Sequence, residues 1–198
     1  MSRRREPQET SDAGPVRRIL FIHSAGAQSA TEGSGRFLAR LGEALGPGYE
    51  ICAPAMPGPD APEAGPWLDT AARHAAAMQT PFVLLGHSLG GSVILKLLAE
   101  RTIPTGLAGV VTVAAPFWGA PEWEYEAFAL PANAGTTLSK GPPVMLLFAT
   151  EDTVVSTDHL DRYLAAVPTA RGRLIGGDHE FGAGDMESVV AALHSLIE

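Results

Sequence analysis

Gly86-His87-Ser88-Leu89-Gly90 has the G-x-S-x-G spacing of a nucleophile elbow. The apolar run Phe82-Val83-Leu84-Leu85 precedes it, and Val93-Ile94-x-x-Leu97-Leu98, with helical spacing, follows. The chemistry such a turn permits is covalent attack by the serine hydroxyl on a carbonyl carbon. A strained strand-to-helix turn presents the serine, and the flanking glycines let the two backbones pass closely. The pentapeptide alone is a weak signal; the strand before it and the helix after it give it weight. The competing reading is an ordinary glycine-rich turn.

A serine hydroxyl is a poor nucleophile at neutral pH and needs a base to take its proton. The chain has six histidines. His74 and His194 fall inside helical patterns, and His159 lies near the start of one. His87 adjoins the serine, and neighbours in sequence point apart. His23 ends the first strand. His179 alone lies in a loop after the last strand, Gly176-Gly177-Asp178-His179-Glu180-Phe181, and is the expected base. An acid must hold the imidazole in one tautomer and stabilise its protonated form. Asp152, in Thr150-Glu151-Asp152-Thr153 after the fifth strand, is the expected partner, with Glu151 its rival. Asp178 reads as a turn residue. The tetrahedral oxyanion needs donors as well. The Leu89 N–H, directly after the nucleophile, is one; the loop His23-Ser24-Ala25-Gly26 should supply the other, with Ala25 preferred and Ser24 the alternative.

These residues are useful only if distant segments converge. Short apolar runs predict strands over 18–22, 49–53, 82–85, 109–113, 144–148 and 173–175, the second and last of them weak. Between and after them, helical spacing predicts helices over about 37–45, 67–79, from 93 onward, 156–167 and 185–197. Alternation of apolar strands with helices implies an α/β fold. Its form is a three-layer α/β/α sandwich of about six parallel strands covered on both faces. Function in such sheets lies at the carboxyl ends of the strands, where strand order reverses. Ser88, Asp152, His179 and Ser24-Ala25 each fall directly after an expected strand. Residues 115–142 hold Phe117, Trp118, Trp123, Tyr125 and Phe128, five of the chain's 13 aromatic residues. They read as a short lid insertion lining a substrate pocket, with Phe117 and Trp118 as its walls together with Ser24. A hydrophobic plug on the sheet is the competing reading. Trp67 reads as a helix anchor, with a wall of the site as the alternative.

Composition bounds the rest. A chain of 198 residues suits one domain, here 16–198, behind a polar, proline-containing segment 1–15 read as a flexible tail. The net charge of -8, with no basic stripe beyond Arg3, Arg4, Arg5, Arg17 and Arg18, argues against nucleic acid as partner. No apolar stretch is long enough to span a membrane, and no apolar segment follows the basic start as a signal peptide requires. The single cysteine, Cys52, forms no internal disulfide and points to a cytoplasmic location; it reads as a small buried hydrophobe. No metal-ligand spacing is present around His23, His179 and Asp152, and no phosphate-cradling glycine motif follows the first strand.

From Arg17 onward the chain resembles the α/β-hydrolase superfamily, in which the triad follows the chain order Ser, Asp, His. His23-Ser24-Ala25-Gly26 is similar to that family's H-G-x-x oxyanion loop, with Ser24 where a glycine is usual. Met56-Pro57-Gly58-Pro59, with Trp67 further on, resembles the compact, cap-less serine hydrolases that include retinoblastoma-binding serine hydrolase. The resemblance implies hydrolysis of small to medium acyl esters through Ser88, His179 and Asp152, with thioesters and amides as neighbouring substrate classes. It implies a small-molecule acyl substrate as partner and no metal or organic cofactor. The alternative is a catalytically idle binding protein on the same scaffold.

Overall fold

A computed structural model describes residues 17–120, 122–182 and 184–197. The segment 1–15 read as a tail therefore lies outside the described residues. Six strands form one parallel sheet: β1 Arg17–Ile22, β2 Tyr49–Cys52, β3 Phe82–His87, β4 Leu107–Val113, β5 Val144–Ala149 and β6 Arg171–Ile175. Their spatial order is β2-β1-β3-β4-β5-β6. The chain steps outward from β1 to β2 and returns across β1 to β3. The carboxyl ends of β1 and β3 therefore flank the reversal point, where a crevice opens in a sheet of this kind.

Strand geometry makes the three layers. Successive side chains of a strand point to opposite faces. Leu20 and Ile22 of β1, Leu84 of β3 and Leu146 and Phe148 of β5 join the core on one face. Ile19 and Phe21, Val83 and Leu85, and Leu147 join the core on the other. The first face is covered by α2 Ala64–Ala77, α3 Leu89–Glu100 and α5 Asp158–Ala166. The second is covered by α1 Gly35–Leu45 and α6 Met186–Ile197. Both faces of the inner strands are buried, which is why β3 reads as a continuous apolar run.

Several bounds differ from the sequence reading, for physical reasons. β3 runs on through Gly86 and His87, which pair with Thr112 and Val113 of β4 although neither looks like a strand residue. α2 starts earlier than expected, because Pro66 sits in its first turn, where a missing N–H costs nothing; it stops two residues sooner, where Met78 turns to extended backbone. β6 begins at Arg171; as an edge strand it keeps its first four residues exposed, and no hydrophobic pattern marks its start. Cys52 is half-buried rather than buried. Burial, and then the charge of Glu50, raise its thiol pKa and keep it protonated. The 115–142 segment is not plain loop. It holds a single 3-10 turn, Glu126–Phe128, and a short helix, α4 Ala134–Leu138, with Phe128 and Leu138 in the core.

Trp67 is 0% exposed, and its indole N–H donates to the Pro57 carbonyl at 2.7 Å. Its ring meets the His23 ring edge-on, with centroids 5.4 Å apart. It anchors α2 and the proline-rich loop beneath the sheet's carboxyl edge and forms no wall of the site. Trp67→Ala is expected to lower folding stability by about 3–5 kcal/mol through cavity formation and the orphaned carbonyl. Urea denaturation followed by circular dichroism measures it; a loss below about 1 kcal/mol would contradict the anchor role.

Candidate active site

Ser88 sits between β3 and α3 with φ 52° and ψ -123°, a backbone conformation that costs a non-glycine residue energy. Hydrogen bonds over-determine it. The Ser88 N–H donates to the Val113 carbonyl at 2.8 Å, and the Ser88 carbonyl accepts from the Gly91 N–H at 2.9 Å. The turn also needs bare backbone. A Cβ on Gly90 would overlap the Ile22 carbonyl oxygen and stand 2.7 Å from that of His23. One on Gly86 would meet the Gly90 carbonyl 2.6 Å away. α3 therefore starts directly against the end of β1, and Ser88 emerges beside the loop that follows that strand.

His179 arrives on the loop after β6. Its Nδ1 donates to Asp152 Oδ2 at 2.7 Å. The other oxygen, Oδ1, accepts the Val154 and Val155 N–H groups, each at 2.8 Å. The Asp152 side chain is 0% exposed and that of His179 is 18% exposed, so the acid lies behind the ring and the ring reaches solvent. Burial alone would raise the Asp152 pKa. The hydrogen bonds from His179, Val155 and Val154 outweigh it and hold the carboxyl below its ordinary value. Of the two candidate acids, Asp152 bonds the imidazole; Glu151 is exposed, and its N–H donates to the Gly177 carbonyl at 2.9 Å. Asp178 accepts the Glu180 N–H at 3.0 Å and caps the turn that carries His179.

Ser88, Leu89 and His179 line one cavity of about 350 Å³ together with Ser24, Ala25, Trp118 and Trp123. Phe117 is not among its walls. Its ring packs edge-on against Tyr163, centroids 5.0 Å apart, and its N–H donates to His159 Nδ1 at 2.8 Å. The aromatic segment is thus divided: Trp118 and Trp123 wall the cavity, while Phe117 and Phe128 hold the segment to the core. A roomier hollow of about 480 Å³ lies behind the loop after β1, lined by Phe21, Leu38 and Met56. None of Ser88, His179 or Asp152 reaches it, so the smaller cavity is where chemistry can occur.

The loop after β1 distinguishes its two N–H groups. That of Ser24 donates to Ser34 Oγ at 2.8 Å. That of Ala25 has no acceptor among the described residues and belongs to a residue of the cavity wall. The Leu89 N–H is the first of α3 and has no intrahelical acceptor. His23 is buried, and its ring is occupied on both sides: Nδ1 donates to the Ser24 carbonyl at 2.7 Å and Nε2 accepts the Met56 N–H at 3.0 Å. Among the described residues no three His, Cys, Asp or Glu side chains gather as metal ligands do, and no helix is long and apolar enough to cross a membrane.

Sequence reasoning missed Ser34 and Glu180, and placed Trp123 in the lid segment without naming it as a wall. Trp123 and Glu180 line the cavity, and Ser34 bonds both Ser24 and His87 Nδ1, the latter at 2.8 Å. The only prior signal for Ser34 was a small-residue run, Gly33-Ser34-Gly35, and nothing in it points to a histidine 53 positions away.

Residues 19–140 match a family described as "Alpha/beta hydrolase family". No curated protein sequence matches the chain closely enough to count as a relative. Among solved structures, the ydeN gene product of B. subtilis superposes with a TM-score of 0.69 at 20% identity, over 90% of this chain and 99% of that one. The esterase domain of a Rhodothermus marinus protein gives 0.68 at 20% identity, over 93% and 88%. A lipase-esterase related protein from Clostridium acetobutylicum gives 0.67 at 13% identity, over 94% and 96%.

Three buried histidines make stability depend on pH. Burial, and then the charge of His179, lower the His87 pKa from 6.5 to about 4. Burial likewise lowers those of His23 and His159. Between the two His87 values the unfolded chain binds a proton that the folded chain refuses. Stability is therefore full above about pH 6.5 and declines as pH falls toward 4, by on the order of 3 kcal/mol from His87 alone. Urea unfolding at pH 7 and pH 5 should give a clear loss at the lower pH, shallower in His87→Phe; equal slopes in the two proteins would exclude the histidine as a source.

Proposed function

Because the chain belongs to the alpha/beta hydrolase family, we propose that it is a serine hydrolase acting as a carboxylesterase on small to medium acyl substrates. The observation that carries this reading is the 2.7 Å bond between His179 and the buried Asp152, with His179 opening on the cavity that the strained Ser88 also lines. Ser88 Oγ attacks the acyl carbonyl. His179 Nε2 takes the hydroxyl proton and passes it to the leaving alcohol. Asp152 keeps Nδ1 protonated and stabilises the imidazolium. The Leu89 and Ala25 N–H groups receive the oxyanion; Ala25 is supported over Ser24 because the Ser24 N–H is already engaged with Ser34. Water enters by the same route in reverse and frees the acid.

The cavity also bears on substrate. A volume of about 350 Å³ is near the lower end for small-molecule sites and favours short acyl chains. Two tryptophans wall it, and its one charged carboxylate is Glu180, with no lysine or arginine among the lining residues. An uncharged ester suits it better than an anionic one, with uncharged thioesters and amides next in line. The narrower likeness to compact, cap-less serine hydrolases is part of the proposal. It draws support from Met56 and Pro57, whose backbone groups bond His23 and Trp67 and so brace the oxyanion loop from below. The lone Cys52 fits a reducing, cytoplasmic setting.

Ser88→Ala is expected to lower kcat for p-nitrophenyl acetate by about a million-fold, and Asp152→Asn by about ten-thousand-fold. Assay of both beside the parent, over p-nitrophenyl esters of two to twelve carbons, tests the reading. Activity should be highest with the shortest acyl groups. An alanine variant as fast as the parent would falsify the assignment of Ser88. A fluorophosphonate probe that leaves Ser88 unlabelled would favour an idle binding scaffold.

A further inference from the structure

His87 precedes the nucleophile and touches the wall of the same cavity, yet it is only 2% exposed. It lies between Phe37, stacked at 5.2 Å with an interplanar angle of 10°, and His179, whose ring centroid is also 5.2 Å away. Both nitrogens are occupied. Nε2 is 2.9 Å from the His179 carbonyl oxygen, and Nδ1 is 2.8 Å from Ser34 Oγ. A carbonyl can only accept, so Nε2 carries the proton and Nδ1 is the acceptor. The Ser34 hydroxyl must then donate to Nδ1. That leaves its lone pairs for the Ser24 N–H, 2.8 Å away.

One line of hydrogen bonds therefore runs from the loop after β1, through the residue before α1 and the residue before Ser88, to the backbone of His179. Its two ends are meaningful. One is the N–H next to Ala25; the other is the main chain of the expected base. If the site needed only filled space, an apolar ring would stack on Phe37 equally well and leave no polar atoms to satisfy. The two loops it joins come from the amino-terminal and carboxyl-terminal thirds of the chain, and Ser34 is 1% exposed.

We propose that His87 is a positioning residue: as the Nε2–H tautomer it locks the His179 backbone and, through Ser34, the Ala25 loop, so that base and oxyanion donor keep one register with Ser88. This rests on the serine-hydrolase reading above. His87 transfers no proton in the reaction; its effect passes through the two loops. A displacement of either by a fraction of an ångström is felt mainly in the transition state, where alignment matters most.

The test compares His87→Phe, His87→Gln, Ser34→Ala and Ser88→Ala with the parent, by kcat and KM on p-nitrophenyl acetate and by the rate of fluorophosphonate labelling at Ser88. His87→Phe keeps the stacked ring and removes both bonds; it should lower kcat and labelling rate by about 10–100-fold with KM within about twofold. His87→Gln can again donate to the His179 carbonyl and should recover most of the loss. Ser34→Ala should lower kcat by about tenfold and serves as the reporter if His87→Phe does not fold. Parent-like kcat in His87→Phe or in Ser34→Ala, with Ser88→Ala inactive, overturns the relay and leaves the site assignment standing. Equal losses in the Phe and Gln variants also overturn it, because a restored donor to the His179 carbonyl would then recover nothing. An active Ser88→Ala overturns the underlying reading together with the relay.

Discussion

The constraint on which the rest depends is a contact between two pieces of backbone. α3 begins so close to the end of β1 that Gly90 lies against the carbonyls of Ile22 and His23, with no room for a single methyl group. That approach brings the start of α3 beside the loop after β1. It sets Leu89 and Ala25 on the wall of one cavity, with Ser88 in its unusual backbone conformation between β3 and α3. A strained residue persists only where its surroundings over-determine it. Here the surroundings are β4, through the bond from the Ser88 N–H to Val113, and the nearly all-buried helix that follows.

The histidines divide by environment. Four polar contacts hold His23 and His87, two on each ring, and burial keeps both uncharged; their work is to join loops. His159 performs the same service for the aromatic segment by accepting the Phe117 N–H. His179 differs in having one nitrogen bound to a carboxylate and the ring open to solvent. A histidine with both nitrogens spent inside the protein has nothing to offer a substrate. His179 lines the cavity with only Nδ1 spent on the carboxylate, and that asymmetry separates the proposed base from His23 and His87 more sharply than sequence position can.

Much of this was legible beforehand, because the informative residues occupy positions with little freedom. The inner strands are covered on both faces, so β1, β3, β4 and β5 stand out as apolar runs. The edge strands β2 and β6 are partly exposed and left only faint traces, and β6 was read two residues too short. The expected acid and base fell directly after strands, where a parallel sheet collects its functional groups, and they meet in space. What escaped was side-chain direction. Phe117 and Trp118 are adjacent and both aromatic, yet one turns into the core and the other faces the cavity. The partnership of Ser34 with His87 depends on the packing of α1 beside β3, which no local pattern encodes.

The weakest strand also carries a critical load. β6 pairs on one side only, its first four residues are exposed, and Leu174 remains 50% exposed, yet its end supports the loop with His179. Fraying begins where few apolar contacts resist it. As temperature rises, the imidazole would drift from its carboxylate while the inner strands are still paired. Loss of catalysis and loss of fold would then become separate thermal events, with the former the earlier.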